Sequence, residues 1–470
     1  MKDSRNLIAL GACRMLELLE TEEISPDQAL DALEERIAEV EPKVHALPTL
    51  CFERARAQAA RLRALPVLQR GALRGLPVPI KDLTNVAGVR TTYGSRLFEN
   101  HVPDTSGIVT ETLEANGAII YAKSNTPEFG TGGHTFNDVF ETTRNPHDLS
   151  KSAGGSSGGA AATLASGTAW LAHGSDMAGS LRTPAAFCGV ASLRPSPGLI
   201  ANEPGTAPFQ HLGQQGPMAR SVEDVALLAD AMSGLHQGVA FSKPHKAGKF
   251  LSAARNPAKP ARVAVSPDLG LASLAPETAD AFDAAIERLE GAGLTLTQTH
   301  PDLSDADQAF AVQRALLYAL NHGDGLEQNR AMMKPENIWN VEKGLAVSGA
   351  EVRSALAAQA RVFNNTAKFM QDHDLLICPA TAIRPFPVDE RYPGHSEGVP
   401  IPRYNEWLQI VHLITVTSLP VITIPCLAAS DGLPFGLQLI GKPHGEEALF
   451  SNARHIESLF AWDTRPVDPR

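Results

Sequence analysis

Ser156 lies in Gly154-Gly155-Ser156-Ser157-Gly158-Gly159, and Ser180 in Gly174-Ser175-Asp176-Met177-Ala178-Gly179-Ser180-Leu181-Arg182. Upstream, Lys81 closes the apolar run Leu76-Pro77-Val78-Pro79-Ile80. Glycine-rich loops that each present a serine suggest a covalent hydrolase. A serine hydroxyl is a poor nucleophile at its own pKa and needs a base. A lysine supplies that base when burial disfavours its ammonium form. Met177, Ala178 and Gly179, just before Ser180, let successive backbone N–H groups turn toward one point. Such a turn can hold an oxyanion, with each donor worth roughly 3 kcal/mol in the transition state. Each feature also has a plainer reading, in which Lys81 pairs with Asp82 at the surface and Ser180 caps a helix.

Other chemistries fit less well. The Gly154–Gly159 run is no Walker P-loop, because no Lys-Ser/Thr follows at the required position, and a Rossmann G-x-G-x-x-G is absent. Gly155-Ser156-Ser157-Gly158-Gly159 matches the G-x-S-x-G elbow of α/β-hydrolases, but small residues produce that match easily and no strong apolar strand precedes it. Histidines are scattered, without HExxH or a paired-His helix, so no metal is expected. Cys188, among small apolar residues, reads as a buried structural thiol.

The elements that must position these residues alternate in type. Ser25-Pro26-Asp27-Gln28 is a capping-box helix start. The stripe Ala29, Leu33, Ile37, Val40 follows it, with Pro42 as the expected end. A second helix is predicted over 52–65, and the start, Met1 to Cys13, faintly imitates a signal peptide but has too few apolar residues for one and reads as the first turns of a helix. Strands are predicted at 118–122, 262–266, 294–297 and 420–426. Helices are predicted at 160–166, 222–232 (capped by Ser221) and 276–289. The uncharged run 407–430 is long enough to suggest a membrane span, but its prolines, His412 and threonines favour a buried helix followed by a core strand. Residues 237–259 read as a long surface loop. Alternating strands and helices imply an α/β fold: one large domain, with a mixed central sheet flanked by many helices.

Lys81, Gly154-Gly155-Ser156-Ser157-Gly158-Gly159 and Gly174-Ser175-Asp176-x-x-Gly179-Ser180-x-Arg182, at these spacings, resemble the amidase signature family. Pro127-Glu128-Phe129, Arg144-Asn145-Pro146, 184–189, 216–221 and 432–441 resemble family segments in the family's order, so the likeness covers nearly the whole chain. The resemblance implies a Ser–cis-Ser–Lys triad, with a cis peptide before Ser156. Ser180 would be the acylated nucleophile, Ser156 the proton relay and Lys81, starting neutral, the ultimate base. N–H groups of Met177, Ala178, Gly179 and Ser180 would cradle the oxyanion. Ser157, Ser175, Asp176 and Arg182 would support these groups, and Gly130, Thr131 and Gly132 are candidate substrate contacts.

The resemblance also implies an organisation of residues 1–65 as N-terminal helices and 66–235 as the signature core. Residues 236–470 would carry a variable pocket region and C-terminal core strands. This chain departs from the family in having Ala178 where Gly-Gly-Ser is usual, and Thr415 to Pro420 where many members carry an asparagine. Residues 307–398 carry little family signal, and in this family such regions shape the substrate pocket.

The totals narrow the partners. With 470 residues, 43% hydrophobic and 20% charged, the chain can bury a large core. A net charge of −11 argues against nucleic acid or an anionic membrane as the main partner. The six basic residues from Lys243 to Arg262 read as a solvated loop. Five scattered cysteines without CxxC spacing fit a reducing, cytoplasmic setting. The expectation is therefore a cytoplasmic amidohydrolase acting through an acyl-enzyme, without metal or organic cofactor, as a monomer or homodimer. Its substrate would be a small neutral aryl or alkyl amide, because the small-residue loops offer no charged anchor; carbamates (urethanes) and esters share the chemistry. The alternative is a glutamine-hydrolysing component of a tRNA-dependent amidotransferase, and a non-enzymatic binding module is the third reading.

Overall fold

Three sheets, seen in a computed structural model that describes residues 4–203, 205, 207–393 and 404–470, carry the functional residues. The first holds β1 (Thr49–Leu50), β2 (Pro77–Lys81) and β3 (Ile119–Ser124) in the order β1-β3-β2. A two-stranded ribbon joins β4 (Arg144–Asn145) to β5 (Asp148–Ser152). The largest contains β6 (Leu171–Asp176), β7 (Ala191–Arg194), β8 (Gln214–Ala219), β9 (Val263–Val265), β10 (Leu296–Gln298), β11 (Leu375–Pro379), β12 (Val421–Ala428) and β13 (Pro434–Ile440). Its order is β10-β9-β11-β13-β12-β7-β8-β6; β10, β9 and β11 run parallel and every other neighbouring pair is antiparallel. The result is a single α/β domain with a mixed sheet and many helices.

β2 and β3 pair in parallel and are buried along their whole length, which is why Val78, Ile80 and Ile119 to Ala122 are apolar. Their register shifts between Val78 and Ile80, at Pro79, which has no N–H to give to the ladder. Lys81 ends β2 and is carried inward by the same burial. Behind the first serine loop, the helix Gly158–Ser166 is buried at every position. Only small side chains let a helix approach its neighbours on all sides.

The capping box forms: Gln28 N–H donates to Ser25 Oγ at 3.3 Å, and Ser25 N–H to Gln28 Oε1 at 2.8 Å. The helix runs from Pro26 to Val44 and so passes through Pro42, contrary to the sequence expectation. Pro42 falls in the last turn and gives up one intrahelical hydrogen bond there. Burial of Val40 and Val44 carries the chain on to a left-handed His45. The helix Val222–Met232 keeps its Ser221 cap, with Asp224 N–H donating to Ser221 Oγ at 3.2 Å. The run 407–430 becomes the buried helix Gln409–Val416 followed by β12, and no helix among the described residues is long and apolar enough to cross a membrane.

The segment expected to be a loop, 237–259, contains the helix Lys249–Arg255. Phe250 and Ala254, four residues apart, are buried, and the carboxylate of Asp230 accepts the N–H groups of Phe250 (3.1 Å) and Leu251 (2.8 Å). The cap comes from another helix, so no local signal announces it. Asp230→Ala is expected to destabilise the protein by about 1–2 kcal/mol, the usual worth of such a cap, in a urea unfolding titration.

Candidate active site

Three segments, two of them strands of different sheets, meet around the Lys81 amine. β2 delivers Lys81, the turn before the helix Gly158–Ser166 delivers Ser156 and Ser157, and the end of β6 delivers Ser175. Lys81 Nζ lies 2.7 Å from Ser156 Oγ, 2.8 Å from Ser157 Oγ and 3.1 Å from Ser175 Oγ. Ser157 Oγ in turn donates to Ser175 O at 3.2 Å. Lys81 has no exposed surface and no ion pair among the described residues. The surface pairing with Asp82 therefore does not occur; Asp82 pairs with the buried Lys123 at 3.2 Å instead. Burial pushes the Lys81 amine down to about 7, against the opposing pull of the Asp176 carboxylate.

His173, on β6, lies beside Lys81. Its Nδ1 accepts the Lys81 backbone N–H at 3.3 Å, and Nε2 meets Gln215 Oε1 at 2.9 Å. Burial drives this imidazole down to about 3, against its hydrogen bond to Gln215 and with help from nearby Lys81. It is thus neutral at working pH and adds no second cation. The Gly155–Ser156 peptide bond is cis.

Beyond β6, residues 177–181 form a turn before the helix Arg182–Cys188. Asp176 organises it. Its Oδ1 accepts Gly179 N–H at 2.9 Å and its Oδ2 accepts Leu181 N–H at 3.1 Å, while Arg182 donates to both oxygens at 3.0 Å. Arg194 adds a contact at 3.3 Å, so two guanidiniums share one carboxylate and leave a positive balance under the turn. Burial alone would raise the Asp176 carboxyl, but Arg182 and Arg194 hold it far below the usual range. Arg182 also reaches Thr415 Oγ1 at 2.8 Å, in the segment 415–420.

Gly179 has φ +94°, and a Cβ there would stand 2.4 Å from Val411 Cγ2. Its N–H, expected among the oxyanion donors, is already given to Asp176. Of the expected donors, that leaves the N–H groups of Met177, Ala178 and Ser180.

Ser156 and Ser180 line one cleft of about 300 Å³, together with Phe129, Gly130, Met177 and Tyr318. Ser180 is 8% exposed and Ser156 2%, so each reaches the cleft from a buried position. Their hydroxyls make no direct hydrogen bond to each other; Ser157 N–H donates to Ser180 O at 3.1 Å. Gly130, at φ +72°, leaves room for Ser156, since a Cβ would sit 3.3 Å from its Oγ. A narrow pocket of about 30 Å³ shares Ser180 with this cleft and is lined by Gly130, Gly132, Met177 and Ala178. It shares Arg314 and His412 with a larger chamber of about 570 Å³.

Of the three residues expected to touch substrate, Gly130 and Gly132 face these spaces. Thr131 does not: its hydroxyl is buried against Tyr318 OH at 2.6 Å and Asn337. Its place is to hold Tyr318. Cys188 is wholly buried and donates to Ala153 O at 3.4 Å, away from the cleft.

Sequence reasoning missed His173, Gln215, Arg314, Tyr318 and Tyr404. His173 had a readable signal, as a lone imidazole in the uncharged stretch 171–175 of β6. Arg314 had another, as the one basic residue between Ala306 and Asn321 on an otherwise largely apolar helix.

The sequence model of the Amidase family matches residues 28–450. The chain belongs to the amidase family. It is 31% identical over 477 residues to the acylamidase of Rhodococcus erythropolis, covering 99% of this chain and 98% of that one. It is also 31% identical over 490 residues to a glutamyl-tRNA(Gln) amidotransferase subunit of Dehalococcoides mccartyi, covering 97% and 98%. Among solved structures, 6-aminohexanoate cyclic dimer hydrolase complexed with substrate superposes with a TM-score of 0.87 at 25% identity, covering 98% and 99%. The chain is accordingly an amidohydrolase, acting on carboxamide C–N bonds.

Removing one partner from the Asp176 cluster strands buried charge. Asp176→Asn is expected to cost about 3–5 kcal/mol, measured as the shift in urea unfolding free energy.

Proposed function

We propose that this amidase hydrolyses small amides by a serine acyl-enzyme route in which Ser180, Ser156 and Lys81 act in sequence. The observation that carries the reading is the Lys81 amine: fully buried, without an ion-pair partner among the described residues, and 2.7 Å from Ser156 Oγ. Near neutral pH a large share of it is uncharged and able to accept a proton.

In this mechanism the neutral Lys81 amine takes the Ser156 hydroxyl proton while Ser156 takes that of Ser180. Ser180 Oγ attacks the amide carbonyl carbon. The carbonyl π electrons move onto oxygen, which the N–H groups of Met177 and Ala178 receive, with Ser180 N–H as a further donor. The positive balance of Arg182, Arg194 and Asp176 beneath the turn favours that negative charge. Collapse breaks the C–N bond, and the departing amine takes up the proton held on Lys81, relayed through Ser156. Water then attacks the acyl ester by the same relay, freeing a carboxylic acid and Ser180. The relay needs the hydroxyls of Ser156 and Ser180 to draw together, a tightening common when substrate fills a catalytic cavity. Ser157 and Ser175 hold the amine in place through both steps.

The scissile group is a neutral amide bearing an aryl or alkyl substituent, in keeping with Phe129 and Leu83 in the cleft. Carbamates and esters pass through the same tetrahedral intermediate. We place the enzyme in the cytoplasm as a monomer or homodimer acting on free small molecules. The similarity to an amidotransferase component supports a second reading, glutamine hydrolysis with ammonia passed to a partner. The net charge of −11 favours the first, because tRNA binding draws on basic surface.

Ser180→Ala is expected to abolish hydrolysis of anilides and primary amides, and Lys81→Met to reduce kcat by at least about 100-fold, the scale of lost general-base catalysis. Retained turnover in either variant removes the assignment. Because the active form is the neutral amine and its pKa is near 7, kcat/KM should rise through about pH 7 and level off above it. A profile flat across that range contradicts Lys81 as base.

A further inference from the structure

The chamber on the far side of Ser180 holds a charge that the mechanism does not use. Arg314, on the helix Ala306–His322, is only 7% exposed and lines both the narrow pocket beside Ser180 and the 570 Å³ chamber. Its hydrogen-bond partners are all neutral: Asn340 Oδ1, Tyr318 OH at 3.2 Å and Tyr404 OH. The guanidinium also lies over the Tyr318 ring, 4.8 Å from its centre.

A guanidinium has five N–H groups. Three have protein acceptors here, which leaves one on Nη1 and that of Nε without one among the described residues. No carboxylate pairs with it among those residues. Burial works against its charge, but the Tyr318 and Tyr404 hydroxyls more than offset this, and it stays a cation.

Besides Arg314, the chamber lining carries one lysine and two acids. Lys343, an exposed side chain on the chamber wall, sits over the Trp339 ring at 5.0 Å and adds a second positive charge. Of the two acids in the lining, Asp307 is engaged by His412 Nε2 at 2.6 Å and by Gln409 Nε2. The other, Glu406, is exposed. Phe310, Trp339 and Trp407 supply apolar wall between these groups.

A buried cation with neutral partners has lost its hydration without gaining a counter-ion, a cost that a bound carboxylate repays through charge-assisted hydrogen bonds. We propose that the substrate carries a carboxylate on the arm that passes Ser180 into this chamber, and that Arg314 receives it. The substrate class is thus an amide whose acyl or amine portion ends in a carboxylate a few bonds from the scissile C–N bond. This inference rests on the amidase reading above, and it replaces the expectation that no charged anchor is present.

The test compares carboxylate-bearing amides with neutral isosteres in two series. Glutaryl-4-nitroanilide against pentanoyl-4-nitroanilide puts the carboxylate on the acyl side, and 4-acetamidobenzoate against acetanilide puts it on the amine side. Wild type is expected to prefer the carboxylate member of one series by about 10- to 100-fold in kcat/KM, the range expected of a charge-assisted hydrogen bond. Arg314→Met should collapse that ratio toward one, Arg314→Lys should restore part of it, and Lys343→Gln should reduce it less. Because the readout is a ratio within each variant, a general loss of folded enzyme does not mimic it.

Binding gives a reading independent of turnover. Calorimetry with Ser180→Ala should show the carboxylate member bound more tightly than its isostere, and Ser180→Ala/Arg314→Met should lose the difference. No preference in either series, or a ratio unmoved by Arg314→Met, overturns the inference while leaving the amidase reading intact. Turnover that persists in Ser180→Ala overturns the amidase reading instead. If turnover is absent throughout, equal calorimetric affinities for the two members of both pairs still overturn the inference.

Discussion

An amine kept from water without a counter-ion is the constraint around which the remaining architecture is arranged. Lys81 must be buried deeply enough for burial to outweigh the attraction of the Asp176 carboxylate. Each neighbour is consistent with that requirement. The serine hydroxyls of 156, 157 and 175 solvate the amine without charging it. His173 satisfies the adjacent backbone N–H as a neutral ring. Arg182 and Arg194 hold much of the Asp176 field, and Lys123 does the same for Asp82, the residue next to Lys81 in the chain. Acidic groups this close would restore the ammonium form if left uncompensated.

The two cations of the cavity system show why residue type matters. Lysine can yield its proton when desolvated, and so can serve as a base; arginine effectively cannot. Lys81 is therefore shifted toward the neutral amine among hydroxyls, whereas Arg314, in a similarly polar and neutral shell, keeps its charge. Burial gives opposite chemical outcomes on the two sides of Ser180.

Features set by neighbouring residues were legible in the sequence. The Ser25–Gln28 capping box and the Ser221 cap are written within four residues, and both helices start where expected. The glycine loops of Ser156 and Ser180 were legible for the same reason, since close approach and positive φ leave few alternatives to glycine. What was hidden depends on distant partners. The helix Lys249–Arg255 takes its cap from Asp230, and the His173 ring serves β2 from another sheet. Thr131 looked like a pocket residue by its position between two glycines, but its hydroxyl answers to Tyr318 and Asn337, 187 and 206 residues later. Gly179 likewise satisfies every steric requirement of the turn, yet Asp176 takes its N–H.

β2 belongs to the three-stranded sheet, whereas β6 is an edge strand of the eight-stranded one. The Lys81–His173 hydrogen bond joins them at the base, and the Lys81–Ser175 contact joins them at the tip. The candidate site is therefore a seam between two separately hydrogen-bonded layers. Its geometry is sensitive to how those layers slide past one another, a displacement that breaks no ladder hydrogen bond.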